Sequence, residues 1–145
     1  MTTYQNLPEN KREALLKFPA YISLLAATYH NNGIDEEERK SAVEFAHIKT
    51  FSSDPLLKDF FGDAEKRIET NISELDSRLP KKKKEREHAI RLELAGLEKI
   101  LVELGTDFSR ALHQSMQGYK EHVAHAHQSL LEYLVFPIPI KGLTY

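Results

Sequence analysis

Histidine and glutamate are the residues of this sequence whose types and spacing could bind a metal ion. Glu121, His122 and His125 lie close together in a segment with a helical apolar period. Residues three or four apart share a face of a helix, so His125 adjoins the other two side chains. Helical bundles build metal sites from such glutamates and histidines. The spacing therefore allows a divalent-metal site, which is the alternative hypothesis. The favoured interpretation is that these histidines pair with carboxylates or water at a helix–helix or dimer seam.

Two Glu-x-x-His motifs could add ligands to this site. Glu44 and His47 can face the core of a bundle, whereas Glu85 and His88 project away from the apolar stripe of their own segment. A carboxylate di-iron bundle needs two inward-facing motifs of this kind, so a di-iron oxidase is not favoured. Glu44 and His47 are candidate contributors to the metal site. A bundle that held a metal in this way could also be catalytic.

A basic run could bind anions. It consists of four consecutive lysines, namely Lys81, Lys82, Lys83 and Lys84. Such a run can form a patch for phosphate or an anionic surface, and the favoured alternative is a solvated loop and helix start. No aromatic residue interleaves the lysines, so base stacking is unsupported and no specific nucleic acid is expected.

An acidic helix start follows a tight Asn-Gly turn. Asp35 precedes Glu38 by three residues, which is the spacing of a capping box. Glu36 and Glu37 lie in the first turn, where the helix dipole favours negative charge. Capping and the dipole therefore account for these acids without a metal.

The segment from about residue 18 to residue 50 resembles the helix–loop–helix unit of the TerB-like, tellurite-resistance family. The matching residues are the small run Leu25, Ala26 and Ala27, the turn Asn32-Gly33, Ile34 and the acids Glu36 to Glu38. The resemblance implies an all-helical fold and an association with stress. It also implies divalent-metal binding through acidic loops, which would make Asp35, Glu36 and Glu37 ligands of a hard cation such as Ca²⁺.

Apolar periodicity predicts one all-α domain over residues 1–145, a bundle of six to seven helices. The resemblance implies that its first half is TerB-like. Spacings of four and three residues predict three long helices over residues 55–134, the last of them running from 107 to 134. Short connections predict that these three pack as near-antiparallel neighbours. Two prolines exclude a helix near the C-terminus, so residues 135–145 are expected to form an extended segment over the bundle.

A stripe of small residues follows the last of these helices beside His122 and His125. Its members are Ala111, Ser115, Gly118 and Ser129. Small side chains let another helix approach closely, from this chain or from a second copy. The stripe therefore predicts an interface, with a protein partner or a homodimer as the occupant.

Composition limits the function further. The chain has no cysteine, which excludes disulfides and thiolate chemistry, and its net charge of −2 gives no global attraction to nucleic acid. No apolar run is long enough to span a bilayer, and a cytoplasmic location is expected. Phosphate-binding and nucleophile motifs are missing, and no cofactor other than a divalent metal is expected. The sequence thus favours a non-enzymatic interaction module.

Overall fold

The computed structural model describes residues 2–29, 33–52 and 54–126, with residues 51 and 52 described by their backbone alone. Every regular element in these ranges is helical, which confirms the all-α class. The 3-10 turns Tyr4–Asn6 and Pro55–Leu57 precede the first and fourth α-helices. The α-helices are α1 (Glu9–Leu16), α2 (Phe18–Thr28), α3 (Glu36–Ser52), α4 (Lys58–Arg78), α5 (Lys83–Leu104) and α6 (Thr106–Ala124).

The predicted count of six to seven helices is not confirmed. Lys17 alone separates α1 from α2, and its own dihedral angles are helical, with φ −79° and ψ −10°. Pro19 lies at the start of α2, where its missing N–H costs nothing. If α1 and α2 are taken as one bent helix, the described part of the chain contains five.

Helix α2 is the centre of the bundle. All of its residues are buried, and it packs against α3, α4, α5 and α6. No residue of α2 carries a charge, so none of its faces is suited to water. The last three helices, predicted to pack as near-antiparallel neighbours, instead make most of their contacts with α2 and α3 rather than with one another. Helix α4 packs mainly on α3 and α2, and α6 packs more on α2 and α3 than on α5.

The apolar stripes of the long helices are buried as the periodicity predicts. In α4 the stripe runs from Phe61 to Leu75, and in α5 it runs from Ile90 to Leu104. The Asp54 side chain accepts a hydrogen bond from the Leu56 N–H at 2.8 Å, which caps the turn before α4. The faces of α4 and α5 opposite these buried stripes are exposed to solvent.

The last helix ends before residue 126 in the part of the chain that the structure describes. Helix α6 ends at Ala124, and His125 has φ −98° and ψ 9°, outside the helical region. The expected helix from 107 to 134 is thus interrupted at His125, and its last part, 127–134, lies outside the described residues. Residues 127–145, which include Ser129 and the predicted extended segment, lie outside the described residues.

The junction between α5 and α6 depends on a glycine. Gly105 has φ 89°, a left-handed conformation that residues with a Cβ adopt only with strain. This single residue separates the two helices and sets the direction in which α6 leaves α5.

No helix in the described ranges is both long and apolar enough to cross a lipid bilayer.

Candidate functional site

The seam between α3 and α6 brings together two of the predicted metal ligands. His122 Nε2 on α6 lies 3.5 Å from Glu44 Oε1 on α3. The His122 imidazole also stacks on the Phe45 ring, with 5.1 Å between the centroids and 22° between the planes. The Ser41 hydroxyl donates a hydrogen bond to the His122 carbonyl at 3.0 Å. Contacts from α3 thus fix both the backbone and the ring of His122.

His125 lies near this pair at the C-terminal end of α6. Its Nδ1 is 2.7 Å from the carbonyl oxygen of Glu121, a favourable position for a donor because helix C-termini are partly negative. Glu121 itself is exposed. A surface cavity of about 500 Å³ is lined here by Glu37, Lys40, Ser41, Glu44, His122, His125 and Ala126.

His47 points to a different seam. Its Nδ1 hydrogen-bonds Glu65 of α4, and the Thr50 hydroxyl donates to the other Glu65 oxygen at 2.8 Å. The hydrogen bond from His47, and next that from Thr50, lower the pKa of the Glu65 carboxyl. His47 and Glu44 therefore do not converge on one site, although they lie on the same helix.

The described ranges contain no group of three or more histidine, aspartate or glutamate side chains placed to hold one metal ion. The ligands predicted from the sequence are instead divided between the α3–α6 and α3–α4 seams. Metal binding stays a prediction, with Glu37, Glu44, His122 and His125 as the predicted ligands that line one cavity.

A third histidine–glutamate pair joins α5 to α6 and was not predicted. His113 Nε2 lies 2.6 and 2.8 Å from the two carboxylate oxygens of Glu98. Together with the pairs of His47 and His122, it places a histidine and a glutamate across three helix–helix seams. This arrangement fits the interpretation that the histidines are partners of carboxylates at helix–helix seams. Sequence alone could not pair His113 with Glu98 because the crossing of α5 and α6 decides it.

Gly118, in the small-residue stripe of α6, is covered by Phe45 of α3 in the same chain. A Cβ atom at Gly118 would lie only 2.7 Å from Phe45 Cζ, so the missing side chain makes room for that ring. Ser115 is buried, and Ala111 packs against the core. The close approach of another helix that the stripe predicts is therefore made, at Gly118, by α3 of the same chain, and an interface at the other residues of the stripe stays a prediction.

The acidic start of α3 is a capping box, as predicted. Asp35 Oδ1 accepts from the Glu38 N–H at 2.9 Å, and Glu38 Oε1 accepts from the Asp35 N–H at 3.0 Å. Glu36 and Glu37 are exposed in the first turn. The Asp35 carboxylate is thus engaged by the helix terminus.

The predicted anionic-ligand patch is exposed at the start of α5. Lys81 Nζ donates to the Asp76 carbonyl at 3.0 Å. The unpredicted feature is Arg86, which is fully buried, pairs with the Asp76 carboxylate and donates to the Pro80 carbonyl at 3.3 Å. The guanidinium therefore satisfies acceptors at the end of α4. All four lysines of the predicted patch are exposed, namely Lys81, Lys82, Lys83 and Lys84.

Lys120 is a second charged side chain whose burial no sequence pattern indicates. It is fully buried, and its Nζ has no hydrogen-bond partner in the part of the chain that the structure describes. Burial lowers the pKa of Lys120 to about 8, with a smaller contribution from the positive charge of Arg91. A sequence pattern treats a lysine between Tyr119 and Glu121 as solvent-exposed, so this position was missed.

The solvent side of the α5–α6 junction carries an open groove that the sequence patterns did not indicate. It has a volume of about 550 Å³ and contains Val102, of which 80% is exposed. Arg110 also lines it.

Comparison of the chain with family models, with curated proteins and with solved structures finds no match in any of the three.

Proposed function

We propose that this chain is a non-enzymatic helical interaction module of the cytoplasm, with the stress-associated role that the TerB-like resemblance of residues 18–50 implies. The observation that carries the proposal is the outer face of α5. Leu92 and Val102 are 61% and 80% exposed there, and Ala95 between them is exposed too. Residues spaced by three and seven lie along one side of a helix, so these apolar side chains form one stripe. Grouped apolar exposure on a rigid helix favours protein contact.

The same face offers room for a close approach. Gly96 has no atom within 4 Å of the position that a Cβ would take, so its surroundings are open. A helix of another protein, or of a second copy, could therefore come near the α5 backbone between Leu92 and Val102. The homodimer predicted from the sequence is proposed at this face, since Phe45 of α3 already occupies the space at Gly118 in the small-residue stripe of α6.

The proposal is tested with the full chain, tagged and isolated from its native cells, and by light scattering at high concentration. We expect a stoichiometric partner or a dimer, lost in the double variant Leu92→Glu and Val102→Glu. The matched control places two glutamates at exposed positions of α4, by Thr70→Glu and Ser77→Glu, and should keep the association. A monomer without a stoichiometric partner contradicts the proposal.

A metal-binding helical bundle, which could be catalytic, is the second candidate. The observation that favours it is the approach of His122 to Glu44 across two helices, with His125 lining the same cavity. After supplementation with Zn²⁺, Fe²⁺ and Ca²⁺ in turn, elemental analysis should find about one metal ion per chain. His122→Ala should lose it, whereas His113→Ala, which alters a histidine at another seam, should keep it. A metal-free chain after supplementation excludes this candidate.

A further inference from the structure

The α5–α6 groove is an exposed surface beside the stripe of α5. It begins at the sharp junction between the two helices and follows their solvent side. Its lining residues are Leu101, Val102, Gly105, Thr106, Ser109, Arg110, His113 and Gln114. The groove thus combines apolar, hydroxyl, amide and basic groups, and no carboxylate is among the residues that line it.

Arg110 is the one residue with a full charge among those that line the groove, although the chain as a whole carries −2. Arg110 is exposed, and the structure gives it no ion pair or hydrogen bond with any described residue. His113, in contrast, has its own acceptor in Glu98. An arginine whose charge is not met within the chain is available to a carboxylate from outside.

The start of α6 adds to this positive field. Its N-cap is Gly105, which has no side chain to accept a hydrogen bond from the first N–H groups. These groups and the helix dipole favour an anion near Thr106. Asp107, the acid of the first turn, lines a separate cavity with Phe108 and not the groove.

The apolar part of the groove is provided mainly by Val102. This residue is 80% exposed and stands next to Leu101, which is buried. Covering Val102 would remove apolar surface from water and so add a hydrophobic contribution to the free energy of binding. An ion pair with Arg110 does not supply that contribution. The groove is therefore complementary to a segment in which an acidic residue and an apolar residue are neighbours.

We propose that the α5–α6 groove binds an acidic segment of a partner protein, with a carboxylate at Arg110 and an apolar side chain over Val102. This inference rests on the proposed role as an interaction module and specifies the chemistry of the partner. A groove of about 550 Å³ accommodates only a few residues, so the contact is a short-motif contact rather than the docking of a whole domain.

The test titrates the ¹⁵N-labelled full chain with a blocked synthetic hexapeptide of alternating glutamate and leucine. We expect chemical-shift changes centred on the amides of Val102, Thr106 and Arg110. Arg110→Glu should weaken binding by about tenfold or more. The control Lys84→Glu reverses an exposed charge at the other end of α5 and should leave the affinity unchanged. Since Arg110 and Lys84 are exposed, both variants should keep the helical circular dichroism of the parent chain.

Other results overturn the inference. These are equal binding of a hexapeptide with lysine in place of glutamate, loss of binding in Lys84→Glu but not in Arg110→Glu, or no shift at the groove amides. Concentration-dependent shifts of the Thr106 and Arg110 amides without peptide would also overturn it, because a second copy would then occupy the groove itself and not only the α5 stripe that includes Val102. If the acidic peptide leaves the groove unmoved while the isolated chain keeps a stoichiometric partner that Leu92→Glu removes, this inference fails and the proposed function stands.

Discussion

Gly118 on α6 and Phe45 on α3 are in such close contact that a Cβ at Gly118 would lie 2.7 Å from Phe45 Cζ. The ring is held on two sides, because it meets Tyr119 edge-on at 4.7 Å and stacks on His122 at 5.1 Å between centroids. Gly118→Ala should therefore force the ring to shift. We expect the free energy of unfolding, measured by urea denaturation, to fall by about 1–3 kcal/mol.

Gly96→Ala is the matched control for this prediction. Gly96 also lies within a long helix, but no atom lies within 4 Å of its Cβ position. Alanine favours the helix over glycine by up to about 1 kcal/mol, so this variant should be more stable than the parent chain. Equal effects of the two substitutions would show that Phe45 does not constrain the α3–α6 seam.

The capping box at the start of α3 predicts a graded effect at Asp35. Asp35→Ala removes the acceptor of the Glu38 N–H and should lower the free energy of unfolding by about 1 kcal/mol. Asp35→Ser keeps an acceptor without a carboxylate and should recover most of that loss in thermal denaturation. If both variants are equally destabilised and added Ca²⁺ stabilises only the parent chain, the carboxylate acts as a metal ligand rather than as a cap.

The sequence predicted the features that depend on local spacing. The apolar stripes of α4 and α5, the Asp35–Glu38 box and the Asp54 cap all follow from the chemistry of neighbouring residues along one chain. The central position of α2 could also have been derived, since a helix without any charge has no face for water. The regular stripes of the longer helices drew the prediction toward packing among α4, α5 and α6 instead.

The candidate site could be predicted only in part, because it depends on how helices cross. The sequence placed His122 and Glu44 among the metal candidates, and the structure does bring them to 3.5 Å. It could not show that His47 turns toward Glu65, since both partners of that pair are surface residues on different helices. The sequence did not indicate Arg110 as a binding residue for a similar reason: the groove that Arg110 lines is formed by α5 and α6 together.

Lys120 predicts an unusual pH dependence of stability. Its pKa is about 8 in the folded chain, against 10.5 for an unperturbed lysine, so the unfolded chain binds more protons between these values. The free energy of unfolding should therefore rise with pH over this window, by roughly 1–3 kcal/mol for a fully buried lysine. Below pH 8 Lys120 is charged in the folded chain, so the free-energy cost of burying that charge lowers the stability in full.

Lys120→Met separates this effect from other titrations. It should stabilise the chain at pH 7 and abolish the rise, as measured by urea denaturation between pH 7.5 and 9.5. The window stops below pH 10 because the tyrosines of the unfolded chain begin to ionise near that value. Lys99→Met, at an exposed position of α5, should change neither the stability at pH 7 nor the slope. A parent chain whose stability is flat over this window would contradict the burial of a charged Lys120.

Three tyrosines predict the behaviour of the chain in alkali. Burial raises the pKa of Tyr119, and burial together with the hydrogen bond to Asp63 raises that of Tyr4. Burial, followed by the negative charge of Glu93, raises the pKa of Tyr21 to about 12. An unfolded tyrosine ionises near pH 10, so above that value the unfolded chain loses protons that the folded chain keeps. The stability contributed by these three residues is therefore complete below pH 10 and is lost as the pH rises toward 12.

Absorbance of tyrosinate during an alkaline titration measures this directly. Of the six tyrosines in the sequence, three should ionise only together with the loss of helical circular dichroism. Tyr21→Phe should remove one late equivalent. Ionisation of all six near pH 10 in a chain that is still helical would show that the ring hydroxyls of Tyr4, Tyr21 and Tyr119 are reached by water, and the close packing of α2 and α6 in the bundle would then be wrong.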